Sequence, residues 1–447
     1  MSKELHGYRG TALRMLMEAG AEVGDLVRIV KDNVIFEGIL LPRSEYSDDK
    51  HIVIKSKSGY NIGIEVTPTT KIERIGTEKK PSFIPPPPPK QKPDLPKVTI
   101  LSTGGTIASR VDYRTGAVRP VISANDLYSI IPELSDIALI DAKILFSIFS
   151  EDLTPKHWSA IAKAAAECIN RGVDGVVITH GTDTMGYSSA ALSFALQNLP
   201  VPVIFVGAQR SEDRPSSDAA MNLIGAVYAA SRGPFAEVAV AMHETPSDES
   251  IILHRGTKVR KCHTSRRDAF KTINARPLAR IMENKIFMLV NDYKPRDPSR
   301  KLMLRAEFDE RAALIKFYPG MNPKIIDWHV SEGYRGIILE GSGLGHIRRE
   351  CFPSIKKAIN NGVIVAMTSQ CIWGRVNMNV YSNGRDLLAM GVIPLGDMLA
   401  ETALVKMMWC LAQAKNIDEA KELLLTNIAN EFSKRTVEHI EPPKLVG

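Results

Sequence analysis

Val98-Thr-Ile-Leu-Ser-Thr-Gly-Gly-Thr-Ile-Ala-Ser109 is the stretch on which the fold turns. Val98–Leu101 is uncharged and rich in β-branched side chains, the pattern of a buried strand. It stops at Thr103-Gly104-Gly105-Thr106, where two adjacent glycines permit a sharp turn and a close backbone approach to a ligand. Hydroxyls flank the glycines, so Thr106 is a candidate nucleophile where main-chain N–H groups can face developing negative charge. An ordinary strand-to-helix turn would use the same residues. The functional reading gains weight from a second loop, Ile178-Thr-His-Gly-Thr-Asp-Thr-Met185.

Outward from this stretch the chain alternates. Strands are expected at 98–102, 138–146, 173–179, 201–206 and 237–242, and helices at 123–131, 154–171, 184–197 and 217–231. That order predicts an α/β domain with a mainly parallel sheet, whose ligands sit beyond the carboxyl ends of the strands. Both loops follow strands as this rule requires. Strand-like 336–340 and 363–368, with helices near 350–360, 397–413 and 416–428, predict a second, smaller α/β domain. Asp397 and Glu401 early in one of those helices and Lys406 later fit dipole-favourable placement.

Upstream, residues 1–20 fit a short amphipathic helix ending at Gly20. Gly24–Val30, Val34–Leu41, His51–Lys55 and Tyr60–Val66 are short β-branched runs separated by turn formers, the pattern of a small β-barrel. The barrel holds no catalytic constellation, which points to binding or docking. The proline-rich stretch Pro81–Pro96 then marks a boundary, a stiff spacer rising about 3.1 Å per residue where it is polyproline. The expected division is a barrel over 1–80, a linker over 81–97, the larger α/β domain over 98–305, and the smaller C-terminal domain with tail over 306–447.

The composition bounds the class. In 447 residues, 44% hydrophobic and 24% charged content is that of a globular protein with ample core. A net charge of +7 is mild for this length, suiting an acidic partner without marking a nucleic-acid binder by itself. Five widely spaced cysteines without zinc spacing indicate reduced thiols and a cytoplasmic location. No signal-peptide pattern opens the chain and no apolar run is long enough to span a bilayer.

In the second loop, Asp183 beside Thr182 puts a carboxylate next to a hydroxyl ahead of a helix, whose positive end favours anions; a helix N-cap is the alternative use. His180 reads as a packed loop histidine. Residues 255–271 hold seven Lys/Arg and one Asp, as in a solvated or phosphate-contacting loop. For a lysine turned inward toward Asp183, desolvation and neighbouring cations would lower the pKa and let it accept a hydroxyl proton, and Lys258, Lys261 and Lys271 are all open for that part. The chain has no Gly-Lys-Ser/Thr phosphate loop, Gly-x-Ser-x-Gly elbow or His-Glu-x-x-His motif. Gly341-Ser-Gly-Leu-Gly-His346 is not a dinucleotide fingerprint.

Thr103-Gly-Gly-Thr-Ile-Ala108 together with His180-Gly-Thr-Asp-Thr184 resembles the two signatures of bacterial-type L-asparaginases, over about 98 to 430. The added barrel, the linker, Val206-Gly-Ala-Gln-Arg-Ser211 and Leu253–His263 are similar, more specifically, to the D-subunit family of archaeal glutamyl-tRNA(Gln) amidotransferases. The resemblance implies a threonine amidohydrolase that releases ammonia from glutamine or asparagine. A partner subunit, with ATP and Mg2+, would use that ammonia to convert Glu-tRNA(Gln) to Gln-tRNA(Gln). It implies no cofactor or metal in this chain, and a homodimer core in a heterotetramer.

By the same resemblance Thr106 is the nucleophile or its close equivalent, and Thr182, Asp183 and Lys261 form the second catalytic group. Tyr113 is the lid tyrosine, Ser150 holds the substrate α-carboxylate, and Gly105 contributes from the Gly-rich loop. Glu151 stands where many asparaginases have glutamine and would pair with the substrate ammonium. The acidic residue that the family supplies across a dimer interface has no clear counterpart in Ser369–Tyr381. A free-standing asparaginase or glutaminase and a non-catalytic tRNA-binding scaffold are the alternatives.

Overall fold

The computed structural model describes residues 5, 7–43, 48–56, 61–77, 93–105, 109–112, 117–120, 127–128, 131–210 and 217–436. The expected Thr106 and Tyr113, most of the linker and most of the 123–131 helix lie outside them.

The larger domain, here the N lobe, is built on an eight-stranded sheet. Leu139–Ile144, Lys97–Ser102, Gly175–Thr179, Val203–Val206 and Val238–His243 lie side by side in parallel. The inner strands are buried on both faces, which is why they read as unbroken apolar runs and not as alternation. Helix Ala219–Arg232 packs on one face, and helices Pro155–Asn170 and Met185–Ala195 on the other.

Five of the eight strands are parallel, as expected, and an antiparallel extension at one edge makes the sheet mixed. Ile251–Arg255, Ala279–Met282 and Lys285–Met288 extend it antiparallel. The basic stretch contains part of that extension and a separate hairpin, Val259–Lys261 paired with Phe270–Thr272, in place of a solvated loop.

In the C lobe, Ala312–Lys316, Gly336–Gly341, Ile364–Ser369 and Ile393–Pro394 form a parallel four-stranded sheet. Helices Lys324–Ser331 and Phe352–Asn360 cover one face, and Ala400–Gln413 with Ile417–Leu425 the other. Ala190, Ala191 and Phe194 of the N lobe share a core with Met407 and Trp409 of the C lobe. Helix Met185–Ala195 is therefore apolar on nearly every side, because both lobes use it.

The N-terminal segment is a five-stranded antiparallel sheet with Asn61–Glu65 and Lys71–Thr77 at its two edges. Among the described residues no ladder joins those edges, so the expected barrel is not closed by hydrogen bonds. Helix Gly10–Glu18 covers the sheet, burying Ala12 and Leu16 against Val27, Ile29 and Ile54. Among the described residues no helix is long and apolar enough to cross a membrane.

Two buried ion pairs correct the dipole reading of the C-terminal charges. Asp397 precedes its helix and accepts from Lys258 Nζ at 2.8 Å. Lys406 is fully buried, 2.5 Å from Glu431 Oε1, and its Nζ also donates to the carbonyls of Leu424 and Thr426. It thereby helps to close the C-terminal end of the helix Ile417–Leu425, where the Thr426 N–H already serves the carbonyls of Glu422 and Leu423. Phe432 lies 4.8 Å from the same ammonium.

Lys406→Met would strand the Glu431 charge on two backbone N–H donors, those of Ile428 and Ala429. The expected cost is about 3–5 kcal/mol, read as a lower urea midpoint for the C lobe. Adding Glu431→Leu should recover most of it, because an apolar pair replaces a half-broken ionic one.

Candidate active site

The site begins with the pairing of Lys97–Ser102 against Gly175–Thr179, in which Ser102 lies opposite Thr179. The two following loops therefore leave the sheet side by side. Thr103 ties them at once, its N–H and its Oγ1 both donating to Thr179 O at 3.1 and 2.9 Å. Gly104 (φ +112°) and Gly105 (φ +80°) then turn through the left-handed region. A Cβ on Gly105 would lie 2.8 Å from Gly181 N and 2.9 Å from His180 C, so the two turns meet backbone to backbone.

A third loop joins them. A Cβ on Gly181 would stand 2.8 Å from Ser150 Cβ, and Thr184 Oγ1 donates to Ser150 O at 2.7 Å. Ser150 is thus buried against the second loop, while its neighbour Glu151 is exposed. The cap position of helix Met185–Ala195 falls to Thr184, which leaves Thr182 and Asp183 free of the capping role the sequence allowed.

Lys261 reaches both. Its Nζ donates to Thr182 Oγ1 and to Asp183 Oδ1, each at 2.8 Å. The lysine is well covered and Asp183 is largely open to solvent, so the amine points inward from a hairpin and the carboxylate lines the outer side. The other two lysines of the basic stretch go elsewhere: Lys258 to Asp397, and Lys271 to Asp268 at 3.2 Å. Geometry thus sorts three lysines that residue type alone left equivalent.

His180 is packed and neutral. Its Nδ1 lies 2.6 Å from Gly181 O and its Nε2 2.8 Å from Ser188 Oγ, which in turn accepts from Trp158 Nε1 at 3.0 Å. A carbonyl can only accept, so Nδ1 carries the hydrogen and Nε2 takes the serine proton. Burial pulls the imidazole pKa down to about 4. The ring holds the Gly181 carbonyl, one residue ahead of Thr182, and is no base.

One supporting element escaped the sequence reading. Gly207 closes the site from the next strand, since a Cβ there would lie 2.9 Å from Thr182 Cγ2. Its carbonyl accepts from Asn222 Nδ2 at 2.9 Å, and the buried Asp218 accepts from the N–H groups of Gln209 and Arg210 at 3.0 and 2.9 Å. Asp218 and Asn222, four apart at the start of a helix, were the available signal.

Thr106 and Tyr113 lie outside the described residues; Gly105 ends the segment immediately before Thr106. The described part holds a hydroxyl and a carboxylate, each 2.8 Å from one amine, beside a glycine turn at the carboxyl ends of parallel strands. Such a group can move a proton to or from a hydroxyl next to main-chain donors.

Comparison with known proteins gives concordant matches. Residues 21–75 match the family model described as the GatD N-terminal domain. Residues 97–293 match that for the asparaginase N-terminal domain, and 311–424 that for the glutaminase/asparaginase C-terminal domain. The D subunit of the glutamyl-tRNA(Gln) amidotransferase of Methanothermobacter thermautotrophicus is 51% identical over 430 residues, 96% of this chain and 98% of that one. Its counterpart from Pyrococcus furiosus is 52% identical over 427 residues, covering 94% and 97%. Among solved structures, the thermostable L-asparaginase from Thermococcus kodakarensis aligns with a TM-score of 0.68 at 32% identity, over 76% of this chain and all of that one. L-asparaginase I from Vibrio cholerae aligns at 0.66 and 30% identity, over 76% and 99%.

Two outcomes are expected. Gly105→Ala adds a Cβ into the His180–Gly181 backbone at a positive φ, prising the turns apart. Amidohydrolase activity should fall on the order of 100-fold, with the far-UV spectrum unchanged. Burial holds His180 neutral with a lowered pKa, so an unfolded chain binds that proton first as pH falls. Its contribution to stability should erode from about pH 6.5 toward about 4, and NMR titration of the folded protein should find the ring still neutral through that window, protonating only near pH 4.

Proposed function

The chain belongs to the family of glutamyl-tRNA(Gln) amidotransferase D subunits, and from that premise we propose that it is the ammonia-releasing subunit of a tRNA-dependent amidotransferase. The observation that supports this most strongly is the contact of Lys261 Nζ with Thr182 Oγ1 and Asp183 Oδ1 at 2.8 Å, beside the meeting of the two glycine turns.

The chemistry follows from the residue types. A threonine hydroxyl, from Thr106 or Thr182, adds to the side-chain amide carbon of glutamine or asparagine. Lys261 takes the hydroxyl proton and returns it to the departing nitrogen, while Asp183 holds the amine in place. Main-chain N–H groups of the Gly104–Gly105 turn face the oxyanion; one such donor contributes about 3–4 kcal/mol to lowering the barrier. Ammonia leaves, and water then cleaves the threonyl ester to release glutamate or aspartate. Ser150 and Glu151 are assigned to the α-carboxylate and α-ammonium, and Tyr113 to a lid over Thr106.

ATP and Mg2+ chemistry, activating the glutamate borne on tRNA(Gln), is assigned to a partner subunit around a homodimer of this chain. The match of 21–75 to the GatD N-terminal domain favours this reading over a free-standing asparaginase. Both asparaginase structures align over only about three quarters of the chain.

Ammonia release is to be measured from the full chain, alone and with a partner subunit and glutamylated tRNA. Strong dependence on the complex is expected, and full turnover alone would indicate the free-standing enzyme. Lys261→Met, Thr182→Val and Asp183→Asn should each lower kcat by about 10²–10⁴-fold. Unchanged turnover in Lys261→Met would remove it from the reaction.

A further inference from the structure

Just ahead of Lys261 the chain is gripped from the other lobe. Lys258 is 1% exposed and bonds Asp397 Oδ2 of the C lobe at 2.8 Å, while Asp397, 3% exposed, accepts the N–H of Ser433 on its other oxygen at 2.8 Å. One residue earlier, Thr257 Oγ1 donates to Ala429 O, and Thr257 O accepts from Thr402 Oγ1, both at 2.9 Å. The segment 429–433, beyond the last helix, thus closes on the base of the hairpin whose other end presents Lys261 to Thr182 and Asp183.

Amide hydrolysis has no use for a buried amine at 258 or a buried carboxylate at 397. Desolvating both is costly, and an apolar pair of like volume would hold the lobes together as well. The best-attested use of such a pair is to fix register. This hairpin is short: Val259–Lys261 is three residues long and, among the described residues, its only strand partner is the equally short Phe270–Thr272, with one backbone hydrogen bond beyond each end, Cys262 N to Ala269 O and Ile273 N to Lys258 O. So short a ladder is a weak anchor for an amine that must meet a hydroxyl at hydrogen-bond distance.

We propose that Lys258, Asp397 and Ser433 are positioning residues for Lys261, so that the segment 429–433 forms part of the amidohydrolase machinery. The inference rests on the reading of Lys261 as the proton acceptor. Displacing the hairpin by about 1 Å would break the Lys261–Thr182 contact while leaving the substrate-holding loops at 148–151 in place, so the effect falls on kcat and spares KM.

The test uses the full chain, with thermal midpoint, kcat and KM for ammonia release measured on each variant. K258M combined with D397L replaces the ion pair by apolar side chains. The midpoint should hold, kcat should fall about 10- to 100-fold, and KM should stay within about twofold. A merely structural pair would move the midpoint and leave kcat of the folded enzyme alone. S433P removes the N–H given to Asp397 together with the hydroxyl that donates to Asn274 O, and S433A removes the hydroxyl alone, so S433P but not S433A should lower kcat several-fold; that comparison decides the matter if the double variant does not fold. Wild-type kcat in folded K258M/D397L, or in S433P, overturns the proposal. A wild-type chain that releases no ammonia, alone or in its complex, overturns the functional reading and this inference with it.

Discussion

The structure depends on two glycine turns that touch. Strands Lys97–Ser102 and Gly175–Thr179 are parallel neighbours, and the loops they launch are close enough that Gly105 has no room for a Cβ beside the His180–Gly181 backbone. Everything chemical is set by that approach. It brings the chain leading to Thr106 against the chain carrying Thr182, and it leaves Ser150 and Gly207 as walls on either side. Much of the surrounding polar apparatus, from Thr103 to the Trp158–Ser188–His180 relay, serves to hold these loops and takes no direct part in the proposed chemistry.

The second constraint is electrostatic, and one of its two ion pairs, Lys258–Asp397, joins the lobes. Lys258 with Asp397 and Lys406 with Glu431 bury four charged groups around the chain that follows the last helix. Each pair is costly to desolvate and more costly to break by halves. Burial pulls the pKa of both lysines down, but each has a carboxylate partner; Lys406 also donates to two carbonyls, and Asp397 also accepts the Ser433 N–H. The segment 428–433 therefore packs against the core shared by the two lobes.

Much of this was legible in the sequence where the physics is local. Uncharged β-branched runs at 98–101 and 175–178 marked doubly buried strands, and glycine beside threonine marked the turns. The antiparallel half of the sheet was harder, because Ile251–Arg255, Ala279–Met282 and Lys285–Met288 are short and carry charges that read as loop. Charge was misread wherever it is buried: Asp397 and Lys406 looked like surface residues in favourable helix positions, since their partners Lys258 and Glu431 are set by tertiary packing that no local pattern reveals. The same limit applied to Lys258, Lys261 and Lys271, which residue type could not tell apart and hairpin geometry separates.

The central claim, that the paired glycine turns present a threonine nucleophile served by Lys261, is tested most directly by covalent trapping. The full chain is treated with a diazo-ketone analogue of glutamine and digested for mass spectrometry. The account predicts a single adduct on the peptide bearing Thr106 or Thr182, formed in the wild-type chain and lost in Lys261→Met. An adduct on any other residue, the exposed Cys262 included, with both threonines unmodified would contradict it.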